Sequence, residues 1–141
     1  MADIVQLVEN GQKKYIKTHV QAIEGIGTKG ELLWSGGLLM DEGQVATPKK
    51  KLSECANGWL LKYGRYNAAG IQKNWYGSVF IPKEVGLGLR ADWLPHAGAT
   101  STYSVKLIEV SDTTLKGHSN NANPTPSNAA YNMMLFEVWS V

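Results

Sequence analysis

At 141 residues the chain has the length of one domain, enough to bury a core unaided, and its single cysteine, Cys55, excludes an intramolecular disulfide. Fourteen Lys and Arg against twelve Asp and Glu leave a formal net charge of +2, too balanced for the concentrated positive face of a nucleic-acid binder. No run approaches the roughly 20 apolar residues that cross a membrane as a helix. Met1-Ala2-Asp3-Ile4 lacks both a basic region and a long apolar stretch, so synthesis in a cytoplasm is expected.

The chain starts with a short amphipathic segment over residues 4–26. Within it Asn10-Gly11 separates two β-prone runs, the strongest short hairpin signal, because both turn positions need positive φ. A hairpin of this size cannot bury enough apolar surface to stand alone, so it is expected to dock on something. A two-turn helix over 18–25, with Val20 and Ile23 inward, also needs packing to persist. Leu7, Asn10, Gly11, Tyr15, Ile16, Val20 and Ile23 are therefore the candidate attachment and oligomerisation residues. The flexible, polar stretch 25–30 reads as a linker, dividing an attachment segment (1–28) from a module (29–141).

In that module punctuation is dense and helical periodicity is scarce. Fifteen glycines and five prolines in the whole chain separate short runs of valine, isoleucine, threonine and aromatics. The pattern predicts an all-β fold, an antiparallel β-sandwich of jelly-roll type. Strands are expected near 31–39, 44–47, 58–66, 74–81, 103–111, 113–117 and 132–141. In the third of these Trp59, Leu61 and Tyr63 share one face and Leu60, Lys62 and Gly64 the other, which places Trp59 and Tyr63 in the core. In the fifth, Tyr103, Val105 and Leu107 oppose Lys106, Ile108 and Val110. The consecutive Met133, Met134, Leu135 and Phe136 imply burial on both faces of the last strand, in the core or against a neighbouring subunit. Residues 120–128 read as an exposed loop.

Motifs for chemistry are mostly negative. Residues 86–91, Gly-Leu-Gly-Leu-Arg-Ala, match a relaxed dinucleotide fingerprint, but Pro95 and Gly98 interrupt the helix it requires, so a loop between strands is the expected state. His19, His96 and His118 lack partners at metal-ligand spacing, and neither a metal nor another cofactor is expected. Asp112, His118 and the serines at 111, 119 and 127 supply triad residue types without a triad pattern. Cys55 has no nearby base and reads as a buried apolar residue. The aromatics are more informative. Flat rings beside amide and guanidinium donors recognise ring-shaped polar ligands such as sugars. The candidate glycan-binding residues are Arg65, Tyr66, Asn67, Trp75, Tyr76 and Trp93, beside the loops that join these strands.

Two stretches also resemble a known class. The opening, with its Asn10-Gly11 turn, Lys14-Tyr15-Ile16-Lys17-Thr18-His19 and Ala22-Ile23-Glu24-Gly25, resembles the amino-terminal segment of tail-fibre, baseplate and minor structural proteins from phages and prophages of Gram-positive bacteria. The remainder is similar to a module that often closes such proteins. Its landmarks are Leu33-Trp34-Ser35-Gly36, Val45-Ala46-Thr47-Pro48, Leu52-Ser53-Glu54-Cys55, Asn57-Gly58-Trp59, Phe80-Ile81-Pro82-Lys83 and the run from Ser111 to His118. Such proteins usually place a shaft between these parts, where this chain has only the few residues around 27–30. The resemblance implies a non-enzymatic virion component, commonly a homotrimer, that assembles with other virion proteins and attaches to host cell-wall polysaccharide. A capping or trimerisation subunit without receptor binding is the alternative. A wall-polysaccharide hydrolase fits less well. Glycosidases usually need two carboxyl groups about 5 to 9.5 Å apart. Asp41, Glu42, Glu54, Glu84, Asp92, Glu109, Asp112 and Glu137 are scattered without recognisable pairing.

Overall fold

The computed structural model describes residues 7–10, 12–14, 30–94, 104–122 and 130–141, with the side chains of 7–9, 12–14, 74 and 75 left aside. The first described element is a hairpin. Strands β1 (Leu7–Glu9) and β2 (Gln12–Lys14) pair antiparallel with Glu9 opposite Gln12, and Asn10 takes a φ of 51° at the turn. Positive φ at this position is what the Asn-Gly turn requires. Gly11, Tyr15, Ile16, Val20, Ile23, the expected helix over 18–25 and the linker up to residue 29 lie outside the described residues, and of Leu7 only the backbone is described.

Eight further strands build a sandwich of two antiparallel four-stranded sheets. They are β3 (Leu32–Leu38), β4 (Val45–Ala46), β5 (Gly58–Asn67), β6 (Gly70–Pro82), β7 (Gly88–Leu94), β8 (Ser104–Val110), β9 (Leu115–Lys116) and β10 (Met133–Ser140). The first sheet has the order β3-β10-β5-β6 and the second β4-β9-β8-β7. The outer strands of the module thus pair with one another, β3 with β10 and β4 with β9, which wraps the chain around itself in the jelly-roll manner. Three short 3-10 turns, at Leu52–Glu54, Ser119–Asn121 and Ala130–Asn132, are the only helical elements among the described residues.

The core forms where period-2 patterning puts apolar side chains on facing sides of the sheets. Trp59, Leu61 and Tyr63 of β5 are fully buried and meet Ile81, Leu135 and Val138 of the same sheet, with Ile108, Val110 and Leu115 opposite. Each such side chain contributes about 1.5–3 kcal/mol by leaving water. The inward face of β8 is the one with Lys106, Ile108 and Val110. The β5–β6 hairpin closes through Ala68 and Ala69, where Asn67 Oδ1 accepts from the Ala69 amide at 2.9 Å and Gly70 supplies a φ of 94°. The sixth strand accordingly starts at Gly70 rather than near residue 74.

Two further sequence expectations are corrected. Residues 88–94 form strand β7, not a loop. Its inward residues include Arg90 and Asp92, whose charges disguise the alternation but satisfy each other, with Arg90 Nε 2.6 Å from Asp92 Oδ1. The glycine run at 86–88 leads into this strand, with no helix after it. The 120–128 stretch is not uniformly exposed either. Asn121 is fully buried, accepting from the Leu107 amide at 2.8 Å and donating to the Leu107 carbonyl at 2.7 Å, so its carboxamide extends the second sheet beyond β9 as a strand would. Residues 123–129 lie outside the described residues.

Candidate functional site

Two bulges shape the outer face of the first sheet. In β10 the register against β5 steps from Leu135 opposite Tyr63 to Glu137 opposite Lys62, leaving Phe136 as the extra residue. A bulge re-aims side chains. Here Phe136 and Glu137 both face outward while Leu135 and Val138 remain in the core. This accounts for the uninterrupted apolar run before residue 137: Phe136, only 4% exposed, is buried on the outer face instead. In β6 the register against β5 steps from Tyr76 opposite Gly64 to Gln72 opposite Arg65, so residues 73–75 bulge over the same face. Gly64 leaves the space, since a Cβ there would come within 3.2 Å of Phe136 Cδ1 and 2.8 Å of Ile71 Cγ2.

Together the bulges enclose a shallow depression of about 250 Å³ lined by Lys62, Lys73, Tyr76, Phe136 and Glu137. Tyr76 stands at its rim with 53% of its surface exposed. Glu137 Oε2 accepts from Lys62 Nζ at 3.2 Å and from Trp139 Nε1 at 2.7 Å. Lys62 Nζ also lies 4.8 Å from the centre of the Trp139 ring, and Lys73 Nζ 5.5 Å from that of Phe136. Burial raises the Glu137 carboxyl, but the bonds from Trp139 and Lys62 and the charges of Lys62 and Lys73 more than offset it, and the group is held below its ordinary range. The site is therefore an ionised, hydrogen-bonded platform with an exposed aromatic edge. It is smaller than the pockets that engulf drug-sized ligands, and suits one ring of a longer molecule.

The sequence-derived candidates divide between several places. Tyr76 lines the depression. Trp93 is 71% exposed on the outer face of the second sheet, on the opposite side of the sandwich, because its neighbours Asp92 and Leu94 point inward. Arg65, Tyr66 and Asn67 lie at the far end of β5, where Tyr66 is 43% exposed and Asn67 is committed to the turn. The Trp75 side chain lies outside the described residues. The six do not converge, since Tyr76 and Trp93 face opposite ways. Around Tyr76 the depression is lined by Lys62, Lys73, Phe136 and Glu137, with Trp139 bonded to Glu137. The signal for Lys62 was its place on the outward face of β5, but its pairing with Glu137 depends on a register that the sequence does not display.

Asp112 and His118 are engaged elsewhere, and Ser127 lies outside the described residues. The Asp112 carboxylate accepts from the Ser53 amide at 2.8 Å and from Ser53 Oγ at 3.0 Å, bonds that hold it below the ordinary carboxylate range. His118 Nδ1 accepts from the Asn120 amide at 3.2 Å. Cys55 is buried, its Sγ donating to the Lys51 carbonyl at 3.3 Å, and burial raises its thiol pKa. Among the described residues no group of three or more His, Cys, Asp or Glu side chains could hold a metal ion.

The outer face of the second sheet is apolar along β7, while the exposed Lys116–Glu109 ion pair lies at the β8–β9 end. Leu89, Ala91 and Trp93 of β7 stand opposite Glu109, Leu107 and Val105 of β8. Leu89 is 63% exposed, and Val85 and Leu87, in the connection before β7, are 79% and 62% exposed. No family model, no curated protein and no solved structure matches this chain.

Proposed function

We propose that this chain is a non-enzymatic structural component of a phage or prophage appendage, made in the cytoplasm of a Gram-positive host. In this reading residues 1–28 attach it to other virion proteins, and the sandwich of 29–141 binds host cell-wall polysaccharide through the outer face of the first sheet. The observation that carries the binding half is the exposed Tyr76 ring above a depression floored by Phe136 and edged by Lys62, Lys73 and Glu137. A flat apolar surface beside fixed polar groups is what a pyranose ring needs, one face for stacking and hydroxyls for hydrogen bonding. The virion half rests on the resemblance of the sequence landmarks.

Trimerisation is supported by the second sheet. The apolar part of the outward face, Leu89, Ala91, Trp93, Val105 and Leu107, bordered by the Lys116–Glu109 ion pair, is costly to leave in water and suits coverage by neighbouring copies with a charged rim. Edge pairing through β7 is disfavoured by its inward charges, Arg90 and Asp92, so the contact would be made by the face. The depressions of three copies would then look outward, and weak contacts to a repetitive polymer would add through effective concentration. The same apolar face favours the second reading, a capping subunit that trimerises without binding a receptor.

The test is binding of fluorescently labelled protein to a panel of Gram-positive cells and purified wall polysaccharides, beside Tyr76→Ala and Trp93→Ala variants verified as folded. The adhesive reading expects saturable, strain-selective binding that Tyr76→Ala abolishes. Absence of binding across the panel, from a chain that still trimerises, would leave the capping subunit.

A further inference from the structure

The charges in the depression are unequal, and the way they are held separates a spent pair from an available cation. Glu137 gives its carboxylate to Lys62 and to the Trp139 indole, and Lys62 is in turn held over the Trp139 ring. That pair is internally balanced. Lys73 is different: it is exposed and its Nζ rests over the Phe136 ring, and among the described residues no carboxylate lies within ion-pair distance of it. The depression thus holds two ammonium groups against one carboxylate. The ring beneath Lys73 restricts where the ammonium can go, so less order has to be imposed when a ligand arrives.

Building on the reading of this face as a saccharide site, we infer that its ligand is an anionic saccharide, whose ring lies on Tyr76 and whose carboxylate or phosphate meets Lys73. A neutral ring would leave the second ammonium over the Phe136 ring without an anionic hydrogen-bond acceptor. An anionic substituent gives it a charge-assisted hydrogen bond, shorter and stronger than a neutral one. Glu137 sharpens the choice. Because its carboxylate stays ionised beside Lys62, an anion is directed away from it, toward the Lys73 side of the depression.

The test uses the intact chain and two matched pairs of probes: tetragalacturonate against its methyl ester, and dextran phosphate against dextran. The charged member of at least one pair is expected to bind about tenfold more tightly, the worth of one charge-assisted hydrogen bond, and the pair that shows the preference identifies the anion. Lys73→Gln should bring the charged probe down to the affinity of its neutral counterpart with the thermal midpoint unchanged, and added salt should weaken only the charged probe. Equal affinity within both pairs, or no binding of either charged probe, overturns the anionic assignment. The saccharide reading fails separately, when purified wall polysaccharides and all four probes are ignored alike.

Discussion

Lys106 is the least expected resident of the core, and its replacement gives a quantitative check on how the sandwich is packed. It points inward from β8 between Ser104 and Ile108, fully buried, and its Nζ donates to the Leu39 carbonyl at 2.6 Å. Burial lowers its pKa from 10.5 to about 7, against the pull of the Asp41 carboxylate. A gap of about 3.5 pH units (10.5 − 7) corresponds to roughly 5 kcal/mol at ~1.36 kcal/mol per unit. Between these two values the unfolded chain binds one proton more than the folded chain. Stability therefore rises with pH by ~1.36 kcal/mol per unit across that window, and below it the whole penalty is present. Lys106→Met keeps most of the stem volume and removes the charge, but strands the Leu39 carbonyl at a cost of about 1–3 kcal/mol. The variant should be more stable than the parent by about 2–4 kcal/mol at about pH 6, and the gain should shrink to near zero by about pH 9. Urea unfolding followed by tryptophan fluorescence at several pH values measures the difference, in which the other titrating groups cancel. A difference that does not change with pH, or a variant destabilised at low pH, would show that Lys106 carries no such burial penalty.

Three further outcomes follow from the packing. Asp92 links the sheets, accepting from Tyr63 Oη at 3.3 Å and from Arg90 Nε, so Asp92→Ala should cost about 3 kcal/mol by leaving both partners unpaired; a loss below about 1 kcal/mol in urea titration would contradict it. Burial raises both the Asp92 carboxyl and, more strongly, the Tyr63 hydroxyl, and with Asp92 ionised the Tyr63 proton is held in place. Gly117→Ala should destabilise by about 1–3 kcal/mol, because a Cβ there would collide with the backbone of Met40 and Asp41; an unchanged thermal midpoint would show that this turn yields. Glu137, whose folded pKa is depressed, contributes stability at neutral pH that is lost as pH falls through its lowered range, so Glu137→Gln should flatten the acid limb of the stability curve. An acid limb identical to the parent's would remove Glu137 from the account.

What the sequence makes legible is whatever alternation alone decides. Trp59, Leu61 and Tyr63 belong to a strand with nothing to disturb its period of two, and all three are buried. The first hairpin is legible because the positive φ that Asn10 adopts at its turn is intrinsic to that residue type. Strand β7 is not, because a strand that carries Arg90 and Asp92 on its inward side looks polar on both faces until the two are known to meet. Asn121 lies in a run of asparagines that composition marks as loop; only its bonds to Leu107 show that one of them completes a sheet. The depression is hidden for a different reason. It depends on two register steps and on contacts such as Lys62 with Glu137, 75 residues apart, and no local pattern specifies them. Tyr76 is legible as an aromatic beside Trp75, whereas the residues that line the depression with it are not.

Whether the outer face of the first sheet is the binding surface can be read from the five tryptophan indole N–H signals of the isotope-labelled chain while purified wall polysaccharide fragments are added. Trp139 donates its indole proton to Glu137 at the edge of the depression, whereas Trp59 donates to the Lys50 carbonyl from within the core. Binding at this face gives a saturable shift of the Trp139 signal with the Trp59 signal unmoved. Saturation that moves only the Trp93 signal, on the opposite face, or no indole signal at all, would contradict it.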